Sequence, residues 1–251
     1  MIDPWIYAAL TATAVLTGFV DATAGGGGLI MMPALLFAGV PPINALATNK
    51  LQSMFGTATA CANYARKGLF DWRQHKGTIA LVFAGASVGV IAVQAIDAGA
   101  LKLIIPLLLL AVALYVITSP RMTDDDAYHR VSARGYGPIA ALIGAYDGFF
   151  GPGTGSFFTA TLVGLRGVGL TRATALTKVF NLTSNIASVL FFALGGKMFW
   201  LLGLSMAAGA MIGGYLGSHS AIKFGARIIR PLLVTLSLGL TARLLWSYFA
   251  A

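Results

Sequence analysis

One polar, glycine-rich passage occurs twice in this chain, each time inside apolar sequence. The stretch Gly18–Thr59, with "FVDATAGGGGL" and "ATNKLQSMFGTAT", returns as Gly144–Ala187, with "AYDGFFGPGTG" and "ALTKVFNLTSNIA". Asp21 falls on Asp147, Gly25 on Gly151 and Gly27 on Gly153 at one constant offset, whereas Lys50 falls on Lys178 at an offset two residues longer. The loop before the second lysine is the longer one. Beyond it Trp72 falls on Trp200, Gly85 on Gly213 and Gly89 on Gly217. A duplication with an interrupted apolar segment in each half is the sequence mark of a membrane transporter whose site lies between its repeats.

Hydrophobic residues make up 57% of the 251 residues and charged residues 10%. With a mean hydropathy of +0.81, the chain lies far outside the range of soluble domains and reads as an integral membrane protein. Every acidic residue is an aspartate, and Asp124, Asp125 and Asp126 stand together. Most lysines and arginines fall between apolar runs, so the net charge of +9 is first a topology signal. No basic stripe interleaved with aromatics occurs on a polar segment, which argues against nucleic-acid binding. The single cysteine, Cys61, excludes an internal disulfide and a Cys-rich metal centre. His75, His129 and His219 show no ligand spacing, and neither a metal nor a cofactor is expected. Only Asp3 precedes the first apolar run, which therefore reads as a retained span.

Stretches apolar enough to cross a bilayer, roughly 20 helical residues, lie near 5–24, 44–65, 77–96, 100–118, 135–150, 172–194, 198–218 and 230–249. Two shorter pieces, 28–38 and 154–165, follow the glycine clusters. A hydrophilic connector, 119–134, separates a first repeat, 1–118, from a second, 135–251, within one integrated membrane domain. Arg66, Lys67, Arg73 and Lys76 mark one loop as cytoplasmic, and Lys223, Arg227 and Arg230 mark another. If the short pieces only re-enter, these loops fall on opposite sides. If each completes a crossing as a broken helix, both face the cytoplasm, together with the connector and the Arg166/Arg172 loop. The expected fold is therefore an all-α membrane protein of two inverted repeats, each of four long transmembrane helices plus one short broken or re-entrant half-helix. Both termini are expected on the outer side.

Gly25, Gly26, Gly27 and Gly28 form a poor helix interior, since each glycine costs about 1 kcal/mol relative to alanine. Gly151, Pro152, Gly153, Thr154 and Gly155 repeat the device. At membrane depth, non-helical backbone survives only where protein buries it or it lines a wet cavity. A half-helix starting after each cluster would aim free N–H groups and its positive dipole end inward, which makes an anion site. The plainer alternative is that the glycines only permit close helix packing. Two copies, each after an aspartate and before a lysine-bearing helix, favour the site.

Lys50, Ser53 and Thr57 stand at i, i+3 and i+7, one helix face, and Lys178, Asn181 and Asn185 repeat that spacing. Asn49 and Gln52 widen the first polar face, Thr174 and Thr177 the second. A charge at a helix centre costs about 2.5–3.5 kcal/mol on insertion scales, so such faces belong toward a cavity. Lysines that merely snorkel to the interface would leave the matched amides and hydroxyls unexplained. Asp21 and Asp147 can cap the following turn, pair with Lys50 and Lys178, or accept a proton during transport. Gly85/Gly89 and Gly213/Gly217 read as helix-packing faces, and Trp72 and Trp200 as interfacial anchors.

At these residues the chain resembles the TauE/SafE family of sulfite exporters, also called the toluene sulfonate uptake permease family, and within it the YfcA-like branch. The likeness rests on "GFVDATAGGGGLIMMPALLFAGVPPINALATNKLQSMFGTATACANYARKG" and "GAYDGFFGPGTGSFFTATLVGLRGVGLTRATALTKVFNLTSNIASVLFFALGG" and extends over practically the whole chain. It implies a bacterial cytoplasmic-membrane transporter of sulfite, sulfoacetate or another small sulfur-containing anion, without enzymatic activity. Carried onto this sequence, it implies a substrate region of Gly25 to Gly28, Asn49, Lys50 and Ser53. Gly151, Gly153, Thr154, Gly155, Lys178 and Asn181 would face them. Asn49 aligns with Thr177 and Gln52 with Phe180, so a lopsided pocket is expected.

The reading is an alternating-access carrier embedded in the lipid bilayer, with a small anion bound between the repeats and the two lysines supplying charge. A passive anion channel and a non-transporting membrane scaffold are the rivals. An enzyme is disfavoured: no H-E-x-x-H helix occurs, and the "GTGS" at Gly153–Ser156 has no plausible base beside it.

Overall fold

Gly25 is where the first helix stops. Its φ of 74° is left-handed, and its N–H closes the helix on the Asp21 carbonyl at 2.9 Å. The computed structural model describes residues 3–118, 131–132 and 135–224. They form α1 (Pro4–Ala24), α2 (Gly27–Phe37), α3 (Pro42–Arg66), α4 (Lys76–Gln94) and α5 (Ala98–Thr118), then α6 (Tyr136–Phe149), α7 (Thr154–Arg166), α8 (Leu170–Leu194) and α9 (Trp200–Phe224). A 3-10 turn, Trp72–His75, leads into α4, and no strand occurs among the described residues. Prolines open α1 and α3, where the missing N–H costs nothing.

Among the described residues, four segments are long and apolar enough to cross a membrane: Pro4–Ala24, Trp72–Gln94, Leu170–Leu194 and Trp200–Phe224. The structure corrects the expected run 135–150, because α6 has only 14 residues, a rise of about 21 Å. Apolar sequence continues up to Phe150, but Gly151, Pro152 and Gly153 end the helix. The expected run 230–249 and nearly all of the 119–134 connector lie outside the described residues. Gly85, Ala86, Ser87, Val88 and Gly89 match a G-x-S-x-G spacing, yet they lie inside α4, where Ser87 Oγ donates to the Phe83 carbonyl at 2.8 Å. That geometry is a helix interior and not a nucleophile elbow.

The glycine rows set the direction of the bundle. Gly209, Gly213 and Gly217 of α9 lie on Thr11, Val15 and Phe19 of α1 in ascending order, so these helices run the same way. Leu51 meets Gly203, Gly56 meets Ala210, and Asn63 Nδ2 donates to Ser218 Oγ at 2.9 Å, so α3 runs with them. In the same manner Gly85 and Gly89 of α4 lie on Ala141 and Ala145 of α6. Val82 clusters with Leu176 and Phe180, and Gln94 Nε2 donates to the Phe191 carbonyl at 3.4 Å, so α4 and α8 also run together. Between the groups the order reverses: Thr57 meets Asn185, while the later Tyr64 clusters with the earlier Leu170 and Ala175.

Because α1 and α3 run in one direction, the residues between them must carry the chain back. Gly27 already lies against Thr17 and Asp21, and α2 with the loop after it returns to the end where α3 begins. The segment α7 does the same between α6 and α8. Arg66, Lys67, Arg73, Lys76, Arg166, Arg172 and Lys223 consequently gather at one end of the bundle, with Asp3, Asp97 and Lys197 at the other. Trp72 and Trp200, both about half exposed, mark the two opposite ends.

A Cβ on Gly213 would stand 2.0 Å from the Val15 carbonyl oxygen and one on Gly89 1.9 Å from that of Ala145, whereas Gly77 has nothing within 4 Å. Gly213→Ala and Gly89→Ala are expected to destabilise the protein by about 1–3 kcal/mol through overpacking. Gly77→Ala should be neutral or raise stability by up to about 1 kcal/mol. Thermal unfolding of the detergent-purified variants distinguishes these outcomes.

Candidate functional site

The two glycine breaks meet. A Cβ on Gly25 would lie 2.5 Å from the Gly155 backbone, and one on Gly155 would lie 2.4 Å from Gly25 Cα. Only a residue without a side chain lets two interrupted helices touch at that point. Gly153 adopts a left-handed φ of 83° ahead of α7. Ser156 Oγ donates across the contact to the Ala24 carbonyl at 3.3 Å. Two tyrosines steady the breaks: Tyr64 donates to the Ala22 carbonyl at 2.8 Å and Tyr146 to the Pro152 carbonyl at 2.7 Å. The glycines therefore permit close packing and also interrupt the backbone; the two readings of them were never exclusive.

Around the breaks lies a cavity of about 30 Å³, bounded by residues from α1, α2, α3, α6, α7 and α8. Of the sequence-predicted residues, it brings together Asp21, Gly25, Gly28, Asn49, Lys50, Ser53, Asp147, Gly151, Gly153, Thr154, Gly155, Asn181 and Asn185, with Thr57 from the same polar face of α3. Gly26, Gly27 and Lys178 lie off its wall. Gly27 instead packs on Thr17 and Asp21 and borders a smaller adjoining space of about 10 Å³. Lys178 is fully buried behind Asp21.

The charges pair crosswise. Lys50 on α3 bonds the Asp147 carboxylate at the end of α6, and Lys178 on α8 bonds the Asp21 carboxylate on α1 at 3.1 Å. Lys178 also donates to the Asp21 main-chain carbonyl. The ammonium thus sits at the carboxyl-terminal end of an interrupted helix, where the dipole is negative. Lys50 takes the matching place, since a Cβ on Gly151 would meet its Nζ at 2.9 Å. Lys50 and Lys178 are 3% and 0% exposed. An unpaired ammonium at that depth would cost several kcal/mol, which is why both reach an aspartate. Of the three roles open to the aspartates, the structure shows pairing with the lysines, and two lysines and two aspartates sum to no net charge.

The remaining donors lie in or beside the cavity wall, Gln52 bordering the smaller adjoining space. Gln52 Nε2 donates to Asn49 Oδ1 at 3.0 Å and to Ser53 Oγ at 2.8 Å, and Asn185 Nδ2 reaches Thr57 Oγ1 at 3.5 Å. Asn181 Oδ1 is buried without a hydrogen-bond partner. Its amide can present either oxygen or nitrogen to the cavity by rotation. Sequence reasoning missed Ser184, whose Oγ donates to Asp147, together with Ser156, Tyr64 and Tyr146. A hydroxyl on a long apolar helix gives no signal until the facing helix is known. Among the described residues no cluster of histidine, cysteine and carboxylate side chains could hold a metal.

Residues 10–244 match the family described as "Sulfite exporter TauE/SafE". The chain is 40% identical over 247 residues to "Probable membrane transporter protein YfcA" of Escherichia coli (strain K12), covering 98% of this chain and 92% of that one. It is 43% identical over 241 residues to "Probable membrane transporter protein ORF9" of Sinorhizobium sp, covering 96% and 92%. A "Probable membrane transporter protein" of Haemophilus influenzae is 40% identical over 242 residues, covering 96% and 95%. No solved structure matches the chain.

Removing one member of a buried pair leaves the other charge stranded. Lys50→Met is expected to cost about 3–5 kcal/mol. The double variant Lys50→Met/Asp147→Asn should recover a large part of that loss, as coupled neighbours do. A double-mutant cycle on thermal unfolding measures the coupling; additive losses would deny the pair.

Proposed function

We propose, from the premise that this chain belongs to the sulfite exporter TauE/SafE family, that it moves a small sulfur-containing anion of the sulfite, sulfoacetate or organosulfonate class by alternating access. The chain is a multi-pass membrane transporter of that family. The observation that carries the finer reading is the convergence of both glycine breaks and of the polar faces of α3 and α8 on one small cavity. The opposed directions of the two helix groups support inverted repeats, 1–118 and 135–251, that rock about this cavity.

The chemistry follows from the donors. An anion held there gives up its hydration and needs replacement hydrogen bonds. The amino-terminal turns of α2 and α7, with Asn49, Ser53, Asn181 and Asn185, supply them. The four buried charges sum to zero, so the site favours an anion through oriented dipoles and through Lys50, whose pairing the anion competes for. A cavity of about 30 Å³ has room for about two water molecules. Its tightness supports a carrier that must rearrange over a standing pore.

The basic end of the bundle is assigned to the cytoplasm of a bacterial inner membrane, which puts the start of α1 on the outer side. Moving one charge through the potential is worth about 2.3 kcal/mol per 100 mV, so an inside-negative membrane favours anion export. Import requires coupling, for which Asp21 and Asp147 are the available carboxylates.

Purified protein in liposomes is expected to transport sulfite or sulfoacetate with saturation, and unlabelled substrate on the far side should accelerate exchange. Asn181→Ala and Ser53→Ala should raise the half-saturating concentration by about tenfold, the loss of a hydrogen bond to a charged group. Conductance that neither saturates nor shows counterflow would replace the carrier with a channel.

A further inference from the structure

We propose that the two crossed ion pairs are the two gates of the transport cycle, Asp21 with Lys178 on the basic side and Lys50 with Asp147 on the other. We further infer that both gates are closed in this structure and that the carboxylate of the first is the less tightly held. The inference rests on the carrier reading above and deepens it.

Depth separates the pairs. Lys50 follows the start of α3 by as many residues as Lys178 follows the start of α8, and the two 25-residue helices begin at opposite ends of the bundle. With a rise of 1.5 Å per residue, each lysine lies about 12 Å in from its own end of a helix about 37 Å long. One pair therefore stands on each side of the middle. The central cavity lies between them, bordered by Lys50 and by both aspartates.

The pairs are not equally held. Asp147 has a side chain 5% exposed and accepts from both Lys50 Nζ and Ser184 Oγ. Asp21 has a side chain 23% exposed; its carboxylate accepts from Lys178 at 3.1 Å and from Thr57 at 3.4 Å. Ser184 aligns with Gly56, so the hydroxyl that reaches Asp21 comes from Thr57, one residue further on and at the longer distance of 3.4 Å. The basic end also holds a cavity of about 630 Å³, lined in part by Asp71, His75, Arg166 and Arg172. Leu162 and Leu176 in its wall are buried, and Leu176 stands on α8 about 3 Å nearer the basic end than Lys178. The looser gate is the one on the vestibule's side of the middle.

A gate of this kind opens when its carboxylate is neutralised or when an anion takes its place on the lysine. Each pair joins α3 or α8 to a helix of the other half. Breaking it frees one edge of the interface while the other pair serves as the hinge. Two states that differ by one charge-assisted bond are separated by an amount a bound anion can shift.

Sided thiol labelling tests the assignment. In a Cys61→Ala background, Ser53→Cys reports on the cavity, with a membrane-impermeant charged maleimide applied to right-side-out and inverted vesicles. Labelling is expected to be faster from the basic side. Asp147→Asn, or the milder Ser184→Ala, should raise labelling from the opposite side by about tenfold, as loss of a charge-assisted bond allows. Asp21→Asn should raise only basic-side labelling. Exchanging the charges, Lys50→Asp with Asp147→Lys, should restore at least part of the transport that each single change abolishes; a lysine that only binds substrate would not survive the exchange. Unchanged sidedness in Ser184→Ala and Asp147→Asn, with counterflow intact in the parent, overturns the gates and leaves the carrier standing. Absent counterflow in the parent removes the carrier reading itself.

Discussion

Two ammonium groups buried in an apolar bundle must find counter-charges, and the arrangement of the whole protein depends on where they find them. Lys50 and Lys178 each reach an aspartate of the other half of the chain. Any other placement would leave a desolvated charge costing several kcal/mol. The crossing ties α3 to α6 and α8 to α1, and so holds the halves at one relative height. It also brings a positive group to the carboxyl-terminal end of each interrupted helix, where unsatisfied carbonyls would otherwise face hydrocarbon. The amino-terminal turns of α2 and α7 are left to face the cavity.

The glycines make that crossing possible. Gly25 and Gly155 touch backbone to backbone, and a side chain on either would push the half-helices apart and draw the aspartates off their lysines. The same economy of side chains runs through the bundle, where the rows on α4 and α9 let α6 and α1 approach to backbone contact. Small residues serve here to set helix order and direction, which in turn bring the polar faces of α3 and α8 together.

Beneath this common plan the halves differ. Gln52 binds Asn49 and Ser53 beside the cavity. Its aligned partner Phe180 packs among rings, with Phe158 at 5.3 Å and Tyr136 at 6.4 Å between centroids. Ser184 gives one aspartate a hydroxyl partner, whereas Gly56 stands at the aligned place and Asp21 takes its hydroxyl from Thr57, the next residue, at 3.4 Å. The two aspartates therefore have unequal second partners.

Helices, their interruptions and their polar faces were legible in the sequence because each depends on residues close in the chain. Hydropathy marks a span, four glycines mark a break, and i, i+3, i+7 spacing marks a face. Ser184, Tyr64 and Tyr146 carried no signal of their own. By itself the sequence determined a duplicated, broken, helical membrane chain with a lysine and an aspartate in each half. Only the tertiary structure decided that each lysine serves the opposite aspartate, at two different depths and with unequal support. Ion pairing depends on which helix faces which and at what height, and that is a property of packing that no residue's own neighbourhood contains.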